Sequence, residues 1–322
     1  MVGEKGIKTY HEEDSMELSQ TAKDLLKTIA DIEGPVEGAY NIRSNGKGIE
    51  RFSTENIQIV SKEDKPGIDI IVKPFTQKGS VHIPVIITES DMNDLVYNDF
   101  IIGEGADVTI VAGCGIHNSG HAKSEHDGVH TFKIGKNAHI KYVEKHYGEG
   151  EGTGERVLNP TTIVYMEEGS TCEMEMVQIG GVTSTQRETE AFLEKEAKLI
   201  VTERLMTHDK QFAHSNMMVH LDGEGSSTQI ISRSVAKNES VQVFHPIAQG
   251  NHVCKAHIQC DAILMDQAKV RSIPEIEANH TEAQIIHEAA IGRINDEQLL
   301  KLETLGLSEE EAEQVIINAF LE

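Results

Sequence analysis

Between about residue 38 and residue 273, apolar and polar positions alternate in short runs. IQIV (57–60), IDIIV (68–72), VHIPVII (81–87), VTIV (108–111), HIKYV (139–143), LIVTERL (199–205), TQIIS (228–232) and VQVF (241–244) carry the period-two signature of strands. Nothing between them has the length or spacing of a long helix. Several runs share one approach: an apolar residue, a Gly, acidic or amide residue, then Ala or Ser, then the alternating strand. IIGEGADVTIV, FKIGKNAHIKYV, YMEEGSTCEMEM and FLEKEAKLIVT are instances. The small residues fall at Ala106, Ala138, Ser170, Ala197, Ser227, Ser240 and Ala268, so the steps are 32, 32, 27, 30, 13 and 28. A turn and strand recurring near every thirty residues predict the stacked coils of a β-solenoid, each burying its apolar face only against its neighbours. An antiparallel sandwich has the same strand density and is the rival architecture.

The two ends follow a helical period. In residues 14–33, Leu18, Ala22, Leu25, Leu26 and Ile29 share one face, with Asp14 or Ser15 as N-cap and Gly34-Pro35 as the stop. At the other end an apolar stripe (Ile285, Ile286, Ala289, Ala290) runs on from His287 to Ile294. Asn295 or Asp296 then caps DEQLLKLETL, which stops at Gly306, and Ser308 with Glu311 forms a capping box for SEEEAEQVIINAFL. The expected division is an N-terminal helical segment (1–37), a β core (38–280) and a C-terminal helical segment (281–322). Its αα-hairpin either seals the end of the solenoid or offers a docking surface.

Composition sharpens this. Hydrophobic residues make up 38% of the 322, aromatics only 4%, and there is no Trp. Layers of Val and Ile suit a solenoid better than a large compact sandwich, which leans on aromatic bulk. The balance of 29 basic against 53 acidic residues, −24 in all, argues against nucleic acid or an anionic membrane as partner. No run is apolar and long enough to span a bilayer, and MVGEKGIKTYHEEDS does not read as a signal peptide, so a cytoplasmic protein is expected. Its four cysteines should then be reduced, as core thiols, reactive thiols or metal ligands.

Three places offer soft ligands. Cys114 and His117 form a Cys-x-x-His spacing, followed by a loop with His121, His126, Asp127 and His130. Cys254 and Cys260 share a face of one strand, about 20 Å apart at the usual rise per residue, with His257 pointing away. His287 and Glu288 stand together near the C-terminal helices. Cys172 sits alone in an alternating strand and reads as a packed core thiol. A second reading makes the His-rich loop a metalloenzyme centre, with Asp127 or Glu125 as general base. There is no G-x-x-x-x-G-K-[ST] motif for binding nucleotide phosphates.

The run PEIEANHTEAQIIHEAAIGRINDEQLLKLETLGLSEEEAEQVIINAFLE resembles the end of the SufB/SufD family of iron–sulfur cluster assembly scaffolds. His287-Glu288-Ala289, Glu297-Gln298-Leu299, Gly306-Leu307-Ser308, Glu311-Ala312 and Ala319-Phe320 carry the likeness, with IGKNAHIKYVEKHYGEG, SRSVA and CDAILMD upstream. The chain is similar to compact SufB/SufD-like proteins of minimal systems. The resemblance implies a right-handed parallel β-helix that forms a homodimer, or a heterodimer with a SufB/SufD paralogue. It also implies a SufC-type ABC ATPase gripped by the C-terminal helices through Glu297, Leu299, Leu300, Leu307 and Phe320, a sulfur donor, and apo-protein acceptors. A transient cluster of the 4Fe-4S type would form on Cys260, Glu288 and His287, with Cys254, Cys114 and His117 as secondary candidates. None of the other three cysteines matches a sulfur-entry thiol, which leaves a SufD-like structural partner without its own cluster as an alternative.

Overall fold

A computed structural model describes residues 7, 8 and 18–322 of the chain. Its core is a parallel β-solenoid of about eight turns. One sheet, here the first, stacks Asp107–His117, His139–Glu149, Thr171–Gly180, Lys198–Thr207, Ser226–Ala236, Cys254–Leu264 and Ala283–Gly292 in that order. The second stacks Asn93–Ile102, Ser124–Ile134, the broken pair Arg156–Leu158 and Thr161–Met166, Ser184–Leu193, Phe212–Leu221 and Val241–Gly250. Each coil crosses from one sheet to the other. Both ladders are parallel, which excludes the sandwich; among the described residues antiparallel pairing is confined to strands near the N-terminus.

The period-two pattern becomes burial directly. Along Ser124–Ile134 every second residue is buried. The small residues close the corners: Ala106, Ala138, Ser170 and Ala197 are buried just ahead of first-sheet strands, and Ser240 ahead of a second-sheet strand. The odd 13-residue step is therefore the crossing from one corner to the other. Each corner needs a left-handed residue, supplied at the second by Asp209, Asn238 and Asp266 with φ between 52° and 59°. These side chains also bond up the stack: Asn238 Oδ1 accepts from the Asp209 N–H at 3.0 Å, and Asp266 Oδ2 from the Asn238 N–H at 2.9 Å. The Phe100 and Phe132 rings stack 4.2 Å apart in the apolar part of the core.

Helix α1 spans Gln20–Ala30. Ser19 caps it and Asp31, in the left-handed conformation, ends it, ahead of the expected Gly34. Asp14 and Ser15 lie outside the described residues. The α1 face of Ala22, Leu25, Leu26 and Ile29 packs on Ile42, Ile86 and Val111, on the outside of the first sheet. Gly113 permits this approach, because a Cβ there would meet the Ile29 carbonyl oxygen at 2.3 Å.

The C-terminal boundary needs correction. Residues 283–292, read above as the start of the helical segment, form the last strand of the first sheet, in parallel register with Cys254–Leu264. The ladder of backbone hydrogen bonds on offer from that strand outweighs a stripe that also fits helical spacing, so the β core runs to Gly292. Helices α2 (Asp296–Thr304) and α3 (Glu309–Leu321) follow, with the Asn295 cap and the Ser308–Glu311 capping box in place. Ile317 and Leu321 of α3 pack on Val235, Ile263 and Ile294, flanked by Leu299 and Phe320. Among the described residues, no helix is long and apolar enough to cross a membrane.

Candidate functional site

Not every inward position is apolar. In the first sheet Glu144, Met176, Glu203, Ser232, Cys260 and Ala289 are successive register partners, one per coil. Beside them runs a second inward row, Cys114, His146, Gln178, Leu205 and Ser234. The second sheet sets Arg187, Ser215, Phe244 and Ser272 in a row opposite. Together they form a buried polar band with a cysteine near each end.

At one end the Cys114 thiol meets two imidazoles, His126 and His146, all three buried. Burial pushes the thiol pKa up, but the charges of His126 and His146 outweigh it and bring it down to about 7. Burial likewise pulls against His126, yet the Cys114 and Asp94 charges raise it to about 10. His146 is raised to about 9, first by Glu144 and then by Cys114. Cys114 is thus about half thiolate at neutral pH, beside two imidazolium rings, the arrangement that makes a cysteine nucleophilic. Behind it Glu144 is held ionised, against the cost of burial, by Arg187 at 2.7 Å and His146 at 3.0 Å, and accepts from the Tyr142 hydroxyl at 2.7 Å.

Midway, the Glu203 carboxylate accepts from Ser215 at 2.7 Å and Ser232 at 3.1 Å. Arg187, Glu203, Ser215, Gln178 and Thr185 line a cavity of about 20 Å³ here. That is room for a single water among polar partners.

At the far end lies Cys260. Burial raises its pKa, and the Glu203 and Asp261 charges add to this, so the thiol is protonated until a cation arrives. Two further polar atoms, Ser272 Oγ and His287 Nε2, are buried without a hydrogen-bond partner. His287 faces inward in register with Ile258, diagonal to Cys260, and burial keeps its ring neutral. A thiol, a neutral imidazole and an orphaned hydroxyl on the last two coils fit a thiophilic metal cargo.

Other candidates separate from this group. Glu288 pairs with Gln259, on the outer face, and its carboxylate contacts His257 at 3.3 Å rather than Cys260. Cys254 and Cys260 share the inner face of one unbroken strand, so Cys254 stays remote from the group at Cys260; its pKa is raised by burial. Cys114 faces inward and His117 outward, on Glu149 at 3.1 Å, so the Cys-x-x-His spacing forms no chelate. The His-rich loop is divided likewise: His126 and His130 lie inside, while His121 is exposed on Thr153. Among the described residues no three His, Cys, Asp or Glu side chains are grouped to hold a metal ion, which removes the basis for a His-rich metalloenzyme centre. Cys172, its pKa pushed up to about 12 by burial and then by Glu173, is the packed core thiol expected. Of the proposed docking residues, Glu297 and Leu300 are exposed and Leu307 half-buried, but Leu299 and Phe320 turn toward the solenoid.

Sequence reasoning missed Asp94, His146, Glu144, Arg187, Glu203 and Ser272. The signal was parity: Glu144 shares its side of the strand with Ile140 and Tyr142, and Glu203 with Leu199 and Val201. A charge at an inward position of an otherwise apolar strand is seldom left without a purpose.

A family model described as "SUF system FeS cluster assembly, SufBD core domain" matches residues 86–320, which include both ends of the band. The chain belongs to the SufBD family. An iron–sulfur cluster assembly SufBD family protein of Methanocaldococcus jannaschii is 29% identical over 290 residues, 88% of this chain and 90% of that protein. One from Archaeoglobus fulgidus is 30% identical over 280 residues, 86% of this chain and 73% of that protein. One from Pyrococcus horikoshii is 24% identical over 289 residues, 87% and 86% of the two. This SufBD protein is thus similar to them over most of its length, and membership ties it to iron–sulfur cluster assembly.

Proposed function

We propose that this SufBD protein is a non-catalytic scaffold that accepts sulfur on Cys114 and builds a transient iron–sulfur cluster at Cys260. The observation that carries this is the contrast between two buried thiols at opposite ends of one band: Cys114 is set beside His126 and His146, which favour its ionisation, and Cys260 beside orphaned polar atoms, with its proton retained. The Cys114 thiolate attacks the outer sulfur of a donor's persulfide; the S–S bond breaks, Cys114 gains the sulfane sulfur and the donor leaves as thiolate. Binding of iron displaces the Cys260 proton. His287 completes this chain's share of the ligands, and the cluster, of the 4Fe-4S type, is cargo for an apo-protein acceptor. The activated thiol at Cys114 favours this reading over a SufD-like partner without a cluster.

The last strand, Ala283–Gly292, has a neighbour on one side alone, and Ile276, Ile286 and Ile291 are exposed around it. An unpaired edge of this kind suits a second copy or a paralogue, which would supply the remaining ligands. Leu300, Leu305 and Val315 leave apolar surface on the helical hairpin for a SufC-type ATPase, which would hydrolyse the ATP. Four unpaired thiols suit a reducing, cytoplasmic setting.

The test is sulfur loading under anaerobic conditions. After incubation with a persulfide-bearing donor, peptide mass mapping should find one added sulfur atom on the Cys114 peptide, and none in a Cys114→Ser variant. Loading of Cys260 in that variant, at the wild-type rate, would remove Cys114 from the route.

A further inference from the structure

Cys114 is activated through His126, and something must hold that ring. Its Nδ1 lies 3.1 Å from Asp94 Oδ2, inside the solenoid. An ionised carboxylate can only accept, so Nδ1 must carry the hydrogen. That leaves Nε2, which is buried and makes no hydrogen bond, as the ring atom available to the nearby Cys114 thiol. Asp94 is fixed in turn: Arg43 Nη2 donates to Oδ1 at 2.6 Å and Nε to Oδ2 at 3.0 Å, a two-pronged grip that sets the plane of the carboxylate. Arg43 sits on strand Ala39–Ser44, in the N-terminal hairpin, outside the family core that holds the other three residues.

We infer that Asp94, clamped by Arg43 from the N-terminal hairpin, is the positioning residue that keeps the His126 imidazole on the Cys114 sulfur and so sets the reactivity of that thiol. The inference deepens the reading of Cys114 as sulfur acceptor and rests on it. The family core supplies the nucleophile, and the segment before it supplies the cation that orders the relay. Docking of the hairpin and readiness of the thiol are then one event.

Other groups around Cys114 act from separate elements. His146, the register partner of Cys114 on strand His139–Glu149, acts on the thiol by its charge, with Glu144 and Tyr142 behind it. Arg187 faces Glu144 from the second sheet, and His130 lies beyond Tyr142, held neutral by burial. None of these bonds Asp94, so a change there isolates the relay from the His146 side.

The experiment is the pH profile of iodoacetamide modification of Cys114 in the full-length protein, read by peptide mass. Restricted access of the reagent scales the rate at every pH but does not move the midpoint, which reports ionisation of the thiol. Wild type should titrate with a midpoint near 7. Asp94→Asn, equal in shape, can donate to Nδ1 and turn the ring to the wrong tautomer. Its midpoint should rise by a pH unit or more, with the reaction at pH 7 slower by about fivefold or more. Arg43→Gln should fall between the two, and Arg43→Lys should recover most of the wild-type rate. An Asp94→Asn midpoint equal to wild type overturns the relay. Should Asp94→Asn fail to fold, ¹⁵N-imidazole shifts of wild type decide: His126 protonated at pH 8 supports the inference, and a neutral ring overturns it. Sulfur loading of Cys114 is scored separately. A shifted midpoint without loading upholds the relay and removes the acceptor role; loading with an unshifted midpoint does the reverse.

Discussion

Arg187 and Glu144 meet across the interior of the solenoid at 2.7 Å, with less than a tenth of either side chain exposed. They join the two sheets within the polar band, between the Cys114 end and the cavity beside Glu203. Removing one partner strands the other. Arg187→Met should therefore destabilise the fold by about 3–5 kcal/mol, whereas Arg187→Met with Glu144→Gln should recover much of that loss. Urea unfolding of the three proteins measures this, and a double variant no better than the single would refute the pairing.

Stability should also fall in mild alkali. His126 and His146 have raised values, so their contribution is complete below about 6.5 and is lost as pH rises through about 9 and 10. Cys114 works the other way: its lowered value contributes above its unfolded value near 9 and is lost as pH falls through about 7. Around pH 8 the folded site holds two imidazole protons where the unfolded chain holds one thiol proton. The net of one proton makes stability decline by about 1 kcal/mol per pH unit between pH 7.5 and 9.5. Urea midpoints at those two values should differ in wild type and converge when both histidines are changed to Gln.

Two glycines under α1 should respond differently to a methyl group. A Cβ at Gly113 meets the backbone oxygen of Ile29 at 2.3 Å, and one at Gly115 meets side-chain ends alone, Leu25 Cδ2 at 3.2 Å and Ile29 Cγ2 at 3.4 Å. Gly113→Ala should cost about 1–3 kcal/mol and loosen the helix, seen as faster proteolysis around residue 31. Gly115→Ala, which a side-chain end can accommodate, should leave both nearly unchanged.

The solenoid was legible because its coils repeat the same local rules: alternation along a strand, then a small residue and a left-handed corner at Asn137 or Asp209. Where two rules fitted one stretch, local reading failed. Ile285, Ile286, Ala289 and Ala290 suit a helix face, and only the waiting edge of Cys254–Leu264 makes that stretch a strand. The site was half legible. Cys260, His287 and Cys114, named from residue type and resemblance, all turn inward, Cys114 without the chelate expected of it, whereas Glu288 lies on the outer face by one residue of register. Cys114 and His117 failed as a pair because residues three apart on a strand face opposite sides. His146 and Arg187 approach Cys114 and Glu144 only through coil stacking, at separations of 32 and 43 residues (146 − 114 and 187 − 144), which no local pattern encodes.

The most direct test of the scaffold account is anaerobic reconstitution with ferrous iron and sulfide, followed by desalting and measurement of bound iron and sulfide-to-iron charge-transfer absorption. Wild type and Cys172→Ala should both retain the chromophore, and Cys260→Ala should lose it while keeping the circular dichroism of the β-solenoid. A Cys260→Ala protein holding as much iron and colour as wild type, or a wild type that stays colourless, would contradict the account.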